Sequence, residues 1–175
     1  MNIVLIGYRC SGKTAVGKAL AGKLGKDFID TDILIEENAG CTIGTIISKK
    51  GWGHFREIEK ILIAEVSEKN NQVIATGGGA IMDTENVKLL KRNGWIVWLN
   101  GRPEVLAKRM TIDKRRGKVR PSLTGADPLE EITEILAIRA PFYERASNFS
   151  VDTSTVTLKE TADLIINNLP EKARR

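Results

Sequence analysis

The sequence has few of the residues that mark several large classes of protein. Only two cysteines occur in 175 residues, which argues against a disulfide framework and favours a reducing cytoplasm. No apolar run approaches the roughly 20 residues of a membrane span, and the first residues lack the basic lead-in and cleavage site of a signal peptide. No repeat or Pro/Gly/Ser-rich linker divides the chain. We therefore expect one domain over residues 1–175 and no membrane partner.

What is present resembles an ordinary soluble domain, with 42% hydrophobic and 28% charged residues. The formal net charge is +5 and the pI is near 9.3. A basic excess indicates anionic partners, which composition leaves open among nucleic acid, a membrane surface and small phosphorylated or carboxylated ligands. The positions of the charges must decide between them.

Short apolar runs alternate with helical periodicities along the chain. Strands are predicted at 2–6, 28–29, 73–75, 95–99 and 149–152, and helices at 12–24, 33–38, 43–47, 54–68, 83–92, 103–110, 128–143 and 157–169. The alternation predicts an α/β fold in which helices cover both faces of a parallel sheet. Ligands of such sheets bind beyond the carboxyl ends of the strands, where the loops 7–14, 30–32 and 76–79 should converge.

Residues 7–14 (GYRCSGKT) fit the pattern G-x-x-x-x-G-K-[ST]. A predicted strand precedes them and a predicted helix follows, which favours a phosphate-binding loop (P-loop) over a chance match. Its N–H groups would surround a phosphate, the Lys13 ammonium would reach the β- and γ-phosphates, and the Thr14 hydroxyl would ligate Mg²⁺. Cys10 stands where such loops commonly have glycine, and its thiol is either activated by nearby positive charge or buried and inert.

Three further patterns carry residue types suited to an anionic acceptor. Asp30 and Asp32 can serve a metal and an acceptor, although Asp32 alone could be a helix N-cap. Arg56 and Glu59 lie three apart on a predicted helix, so the carboxylate either orients the guanidinium or forms an ordinary exposed ion pair. The three glycines at 77–79 carry an entropic cost that fits close approach to a ligand, with a flexible turn as the alternative.

A basic, polar segment covers residues 112–126. Five basic residues lie between 114 and 120, which predicts a mobile lid that closes over phosphates. A nucleic-acid patch is the alternative, but aromatic residues make up only 5% of the chain and none interleaves with this run. We expect Arg120 to be functional and the other four basic residues to be largely solvated.

Taken in order, these motifs resemble those of the shikimate kinase family. They are the P-loop, Asp-x-Asp at 30–32, Phe-Arg-x-x-Glu at 55–59, Gly-Gly-Gly at 77–79, Arg-Pro-x-Leu at 120–123 and Arg-Ala-Pro-x-Tyr at 139–143. The resemblance implies a three-layer P-loop fold of the nucleoside-monophosphate-kinase type, with a five-stranded parallel sheet in 2-3-1-4-5 order. It also implies transfer of the γ-phosphoryl group of ATP to the 3-hydroxyl of shikimate, in the pathway to chorismate and aromatic amino acids.

The resemblance implies roles for residues on the acceptor side, in a region of about 31–60 and beyond. Asp32 would bind the shikimate hydroxyls and assist deprotonation of the attacking one. Arg56 and Arg139 would clamp the shikimate carboxylate, for which planar guanidinium groups are well suited. The predicted backbone contacts to the substrate come from Gly77, Gly78 and Gly79.

On the donor side the resemblance implies ATP and Mg²⁺ as ligands. The predicted nucleotide-binding residues are Cys10, Ser11, Gly12, Lys13, Thr14, Ala15, Arg109 and Arg120. Among these, Lys13 and Arg120 would act in catalysis together with Asp32, and Arg109 would lie near the adenine. Thr14 and Asp30 are the predicted metal contacts.

The sequence departs from the family pattern in two places. Residues 51–54 lack an acidic residue that the family often has before Phe-Arg, and residues 150–156 lack a basic residue that some members place beside the adenine. We expect a cytoplasmic monomer that binds no nucleic acid. The rivals are a related kinase of gluconate or a nucleoside monophosphate, and a nucleotide-dependent switch that binds nucleic acid.

Overall fold

Strands and helices alternate along the chain in the structure, a computed structural model that describes residues 1–115 and 127–174, with the backbone alone at 114 and 115. The strands are β1 (Asn2–Ile6), β2 (Asp27–Asp30), β3 (Gln72–Ala75), β4 (Gly94–Asn100) and β5 (Phe149–Asp152). The helices are α1 (Lys13–Leu24), α2 (Thr31–Ala39), α3 (Ile43–Glu68), α4 (Thr84–Asn93), α5 (Pro103–Arg115), α6 (Pro128–Ala146), α7 (Leu158–Asn168) and α8 (Glu171–Arg174), and a 3-10 turn covers Ala80–Met82.

The strands form one five-stranded sheet in the order β2-β3-β1-β4-β5, in which all neighbours are parallel. The central strand β1 pairs with β3 through Ile3 and Val73, and with β4 through Ile3 and Trp95. The predicted strand order is therefore confirmed. Parallel pairing brings the carboxyl ends of β1, β2 and β3, with the loops that follow them, to one edge of the sheet.

Helices cover both faces of the sheet because successive residues of β1 point in opposite directions. Val4 and Ile6 pack into a core shared with α2, α3, α4 and α6. Ile3 and Leu5 pack into a second core with α1, α7 and α8. Each fully buried side chain of this size stabilises the fold by about 1.5–3 kcal/mol. The predicted three-layer arrangement is confirmed.

The helix α3 joins the two helices predicted at 43–47 and 54–68. Its backbone breaks at Gly51, where φ is +80° and ψ is 170°. A residue with a side chain rarely adopts that conformation, so glycine allows the bend without strain. The part of α3 before the kink contacts α2, where the Ile43 N–H donates to Glu36, and the part after it contacts the start of α4, where Lys60 donates to Asp83.

The helix α5 runs to Arg115, past the end predicted near Met110. The first four residues of the predicted lid at 112–126 are therefore helical. No glycine or proline occurs between Pro103 and residue 117 to interrupt the hydrogen-bond ladder. The rest of the predicted lid, residues 116–126, lies outside the described residues. No helix within residues 1–115 and 127–174 has both the length and the apolar character to cross a membrane.

Candidate active site

The loop 7–14 joins β1 to α1 through left-handed backbone conformations. Gly7 has φ +142°, and a Cβ there would lie 2.9 Å from Ser11 Oγ. Gly12, with φ +98°, is the N-cap of α1 and makes no side-chain capping bond to the first turn. The uncapped N–H groups and the helix dipole suit an anion. Ser11 Oγ is buried without a hydrogen-bond partner among the described residues, and Ala15 is exposed in the first turn.

The first two residues of α1 connect the loop to its surroundings. Lys13 Nζ donates to the carbonyl oxygens of Gly7 and Tyr8 at 2.8 and 2.9 Å, so the ammonium lies across the start of the loop. Thr14 Oγ1 donates to Asp30 Oδ2 at 2.6 Å. A hydroxyl and a carboxylate of the kind that Mg²⁺ prefers thus meet at the edge where the predicted ligand loops converge.

Asp30, and not Asp32, caps the helix α2. Asp30 Oδ1 accepts a hydrogen bond from the Asp32 N–H at 3.1 Å, while Oδ2 accepts the bond from Thr14. The interpretation of Asp32 as a mere N-cap is therefore wrong. Its side chain belongs to the first turn of α2, and Oδ1 lies 2.8 Å from the place where a Cβ on Gly77 would stand.

Arg56 lies against the glycine run and is held by a buried carboxylate. Its Nη1 donates to Glu59 Oε2 at 2.5 Å, and the guanidinium fills the space where a Cβ on Gly79 would be. The guanidinium carbon also lies 5.0 and 5.6 Å from the ring centroids of Phe55 and Trp52. Because Glu59 is only 1% exposed, this is not the ordinary surface ion pair that the spacing also allowed.

The Glu59 carboxyl is buried among charged neighbours. Burial raises its pKa, the Arg56 guanidinium acts in the opposite direction, and the Asp32 carboxylate adds to the rise. Glu59 Oε1 has no hydrogen-bond partner among the described residues and lies 2.5 Å from the position of a Cβ on Gly77. Any side chain at residue 77 would therefore collide with both carboxylates, which explains the need for glycine there.

The middle glycine of the run is fixed by two donors from α6. Gly78 O accepts from Arg139 Nη1 at 3.1 Å and from the Tyr143 hydroxyl at 2.5 Å. Burial raises the pKa of Tyr143 to about 12, so its hydroxyl remains a donor at neutral pH. Its ring stacks on Trp98 with centroids 5.6 Å apart. These contacts rule out the interpretation of residues 77–79 as a merely flexible turn.

An open cavity of about 500 Å³ borders this cluster. Its lining residues are Arg56, Glu59, Gly79, Met82, Asp83, Thr84 and Asn86. The volume lies in the range of small-molecule sites. The Arg56 guanidinium and the carboxylates of Glu59 and Asp83 line it, so the cavity suits a small polar molecule.

Arg109 connects the P-loop to the loop that follows β5. Its Nη2 donates to Thr153 O at 2.6 Å, and its Nη1 donates to Thr153 Oγ1 at 3.0 Å and to Cys10 O at 3.5 Å. A cation thus reaches the segment 150–156, which has no basic residue of its own. Cys10 adopts φ +63° and is half-buried, and its Sγ donates to the carboxylate oxygen Asp113 Oδ2 at 3.8 Å.

Several residues near the site carry no sequence signal that singles them out. Thr31 is buried and its Oγ1 accepts from the Gly77 N–H at 3.1 Å. Arg9, inside the P-loop, forms a buried ion pair with Glu131 of α6. Arg9 occupies a variable position of the P-loop pattern, so the pattern does not single it out. The predicted phosphate contact Arg120 lies outside the described residues.

The fold and the site together define a class of protein. A P-loop follows the central strand of a 2-3-1-4-5 sheet, and two arginines and two carboxylates surround a glycine run beside it. This arrangement is that of a P-loop kinase.

Comparisons with known proteins identify the family within that class. A family model described as shikimate kinase matches residues 9–170. A shikimate kinase of Symbiobacterium thermophilum is 42% identical over 100% of this chain and 99% of the relative, and one of Thermodesulfovibrio yellowstonii is 44% identical over 94% and 92%. The solved structure of the Acinetobacter baumannii shikimate kinase in complex with shikimate matches with a TM-score of 0.88 at 34% identity, over 97% of this chain and 95% of that one. The chain belongs to the shikimate kinase family and is an ATP-dependent kinase.

Proposed function

We propose that this chain transfers the γ-phosphoryl group of ATP to the 3-hydroxyl of shikimate, giving shikimate 3-phosphate and ADP. The observation that supports this best is the convergence of two guanidinium groups on the glycine run. Arg56 lies against Gly79 and Arg139 donates to Gly78 O. Two planar cations beside one backbone segment suit a single carboxylate, the one anionic group of shikimate.

The order of contacts along the glycine run gives the acceptor an orientation. Asp32 lies at Gly77, Arg139 at Gly78 and the Arg56 guanidinium at the third glycine. A ring bound along the run would place its carboxylate between the arginines and its hydroxyls toward Asp32. The Asp32 carboxylate would accept a hydrogen bond from the attacking hydroxyl and assist its deprotonation as the oxygen attacks phosphorus.

The donor lies next to the acceptor because the P-loop touches the same glycine run. A Cβ on Gly78 would lie 3.4 Å from both Arg9 N and Gly7 O. With ATP bound, the Lys13 ammonium would exchange its carbonyl partners for oxygens of the β- and γ-phosphates. We propose that Arg120 also contacts the phosphates, so that both cations stabilise the charge of an in-line transfer.

The proposed metal contacts are Thr14 and Asp30. Their oxygens are 2.6 Å apart, and both are the hard ligands that Mg²⁺ takes in nucleotide sites. No group of three or more His, Cys, Asp or Glu side chains within residues 1–115 and 127–174 could hold a metal by itself. Phosphate oxygens and water would therefore complete the shell. When bound, Mg²⁺ neutralises charge on the β- and γ-phosphates.

We further propose a cytoplasmic monomer without a nucleic-acid partner. Both cysteines are free thiols, which fits a reducing compartment. The proposed roles of Lys13, Arg56, Arg109, Arg120 and Arg139 place five basic residues on two small anionic ligands.

A coupled ADP-release assay with a panel of acceptors tests the proposed function. The wild-type chain with MgATP is assayed with shikimate, gluconate or each common nucleoside monophosphate. We expect turnover to depend on shikimate, with Lys13→Ala abolishing it. Faster turnover with gluconate or a monophosphate would assign the chain to another acceptor. Acceptor-independent ATP turnover with salt-sensitive binding of DNA or RNA would favour a nucleic-acid switch.

A further inference from the structure

The P-loop carries a buried ion pair that has no role in the proposed chemistry. Arg9 Nη2 donates to Glu131 Oε1 at 2.7 Å, and the two side chains are 9% and 3% exposed. Arg9 is the third residue of the loop and Glu131 lies near the start of α6, 122 positions later. A buried ion pair must offset the desolvation of both charges, so its net contribution to stability is small compared with apolar packing. Its best-attested use is to fix one geometry among alternatives.

The pair completes a circuit of contacts around the proposed site. The Arg9 backbone lies beside Gly78, within 3.4 Å of the place where a Cβ would stand. The carbonyl of that glycine accepts from Arg139 and Tyr143 of α6. Glu131 lies on the same helix, eight residues or about 12 Å before Arg139. The P-loop thus contacts the glycine run, and the glycine run contacts α6. The ion pair connects α6 directly to the P-loop.

The neighbouring residue reinforces this link with apolar contacts. Tyr8 is buried in a small cluster with Ile132 and Ile135 of α6. Arg9 Nε donates to the Tyr8 hydroxyl at 3.4 Å, and the guanidinium carbon lies 5.6 Å from the ring centroid. Two successive P-loop residues therefore contact α6. The ionic contact is directional, whereas the apolar contacts allow the P-loop to shift relative to α6.

We propose that Arg9 and Glu131 are positioning residues for phosphoryl transfer. Their ion pair holds the P-loop in register with α6, so that the phosphates of the donor and the acceptor bound by Arg139 keep a fixed separation. This inference rests on the proposed function. In-line transfer is sensitive to displacement, and an error of about 1 Å can lower the rate by roughly a hundredfold. Loss of the pair should therefore lower kcat and leave the binding of each substrate nearly unchanged.

The test is the double variant Arg9→Met/Glu131→Leu, which removes both charges of the ion pair and keeps apolar bulk at both positions. Its matched control is Lys23→Met/Asp163→Leu, which removes the exposed ion pair between α1 and α7. For each protein, kcat, both KM values, the thermal midpoint and the ratio of shikimate 3-phosphate to ADP are measured. The double variant should fold, lose about tenfold or more in kcat with KM values within about twofold, and release more ADP than phosphorylated product. Arg9→Lys should retain more kcat than the double variant, and the control should match wild type.

The result that overturns the inference is a folded double variant that has wild-type kcat and forms one molecule of shikimate 3-phosphate for each ADP released. A double variant in which kcat and the thermal midpoint fall together, while the ratio of shikimate 3-phosphate to ADP stays unchanged, would also overturn it. That result would show that the ion pair only stabilises the fold. If the double variant does not fold, Glu131→Gln, which keeps the side-chain shape, is measured in its place. Its kcat and its ratio of shikimate 3-phosphate to ADP are then judged by the same criteria. Failure of the proposed function is distinct, since the wild-type chain itself would then form no shikimate 3-phosphate.

Discussion

At the residue scale, the proposed acceptor site depends on how its arginines are held. Arg56 is fixed by the Glu59 carboxylate and lies over two aromatic rings, and Arg139 is fixed by the carbonyl of Gly78. Both guanidinium groups therefore have defined positions before any substrate binds. Such preorganisation lowers the entropic cost of binding a carboxylate.

Removal of either arginine should weaken acceptor binding. Arg56→Ala and Arg139→Ala each remove a charge-assisted hydrogen bond of about 2 kcal/mol, so the KM for shikimate should rise about thirtyfold. The KM for ATP should change little, because neither residue belongs to the P-loop. Steady-state kinetics with each substrate varied in turn measures both values. The matched control is Arg92→Ala, which changes an exposed arginine of α4. An unchanged KM for shikimate in Arg56→Ala would show that the clamp is assigned incorrectly.

The buried Glu59 carboxyl should make stability depend on pH. Burial raises its pKa in the folded chain above the ordinary value of 4.5, so the folded state holds this proton more tightly than the unfolded state. The contribution of Glu59 is therefore complete below about pH 4.5 and is lost as the pH rises through the raised pKa. In Glu59→Gln this dependence is absent. The free energy of unfolding of wild type minus that of the variant should thus fall from acid to neutral pH.

Urea unfolding at a series of pH values measures this difference. The control is Glu65→Gln, which changes an exposed carboxyl of the same helix. A difference for Glu59→Gln that is constant with pH, or that grows as the pH rises, would contradict the assignment of burial as the dominant effect.

Residue roles differ in how far the sequence could predict them. The P-loop residues could be predicted, since local spacing between a strand and a helix determines the loop. Asp30 and Asp32 could not be told apart as caps, because both precede the helical run predicted at 33–38. The structure decides, since Asp30 Oδ1 accepts from the N–H groups of Asp32 and Ile33. The ion pair of Arg9 with Glu131 could not be predicted, because its partners are 122 positions apart and Glu131 belongs to no motif.

At the scale of elements, helix ends show where local chemistry suffices. The start of α7 could be predicted from Thr157 and Glu160, and both bonds of that capping box are present. The end of α5 could not be predicted from its apolar spacing, since the helix continues through polar residues to Arg115. Apolar periodicity indicates which residues of a helix face the core. It does not indicate how far a helix continues through exposed polar residues when no helix-breaking residue interrupts it.

Loss of the capping box should destabilise the fold without affecting the site. Thr157→Ala removes the side chain that accepts from the Glu160 N–H at 3.2 Å, which should cost about 1 kcal/mol in the free energy of unfolding. Lys159→Ala, an exposed change in the first turn of the same helix, is the control. Both proteins should keep wild-type kinetics at a temperature well below the unfolding midpoint. A Thr157→Ala variant as stable as the control would show that solvent replaces the cap without cost.

At the scale of the whole molecule, the sheet was the most predictable feature and the site geometry the least. The inner strands β1, β3 and β4 are largely apolar and buried, which indicates a parallel sheet from sequence alone, whereas the edge strands β2 and β5 are partly exposed. The strand order followed from the resemblance to a family and not from the runs themselves. The structure adds how three loops meet, with Thr14 against Asp30 and the P-loop against the glycine run. These contacts between distant segments bring the proposed donor and acceptor regions together.

One measurement decides most directly whether the two arginines bind the carboxylate of shikimate in a phosphoryl-transfer site. The wild-type chain with saturating MgATP is assayed for ADP release with shikimate and with its carboxamide, in which the acid is a neutral amide of nearly the same shape. Turnover should require the acceptor, and kcat/KM should be about a hundredfold or more higher for shikimate, because the neutral amide cannot form an ion pair with either guanidinium group. ADP release that does not respond to shikimate, or equal kcat/KM values for the acid and the amide, would contradict the proposal.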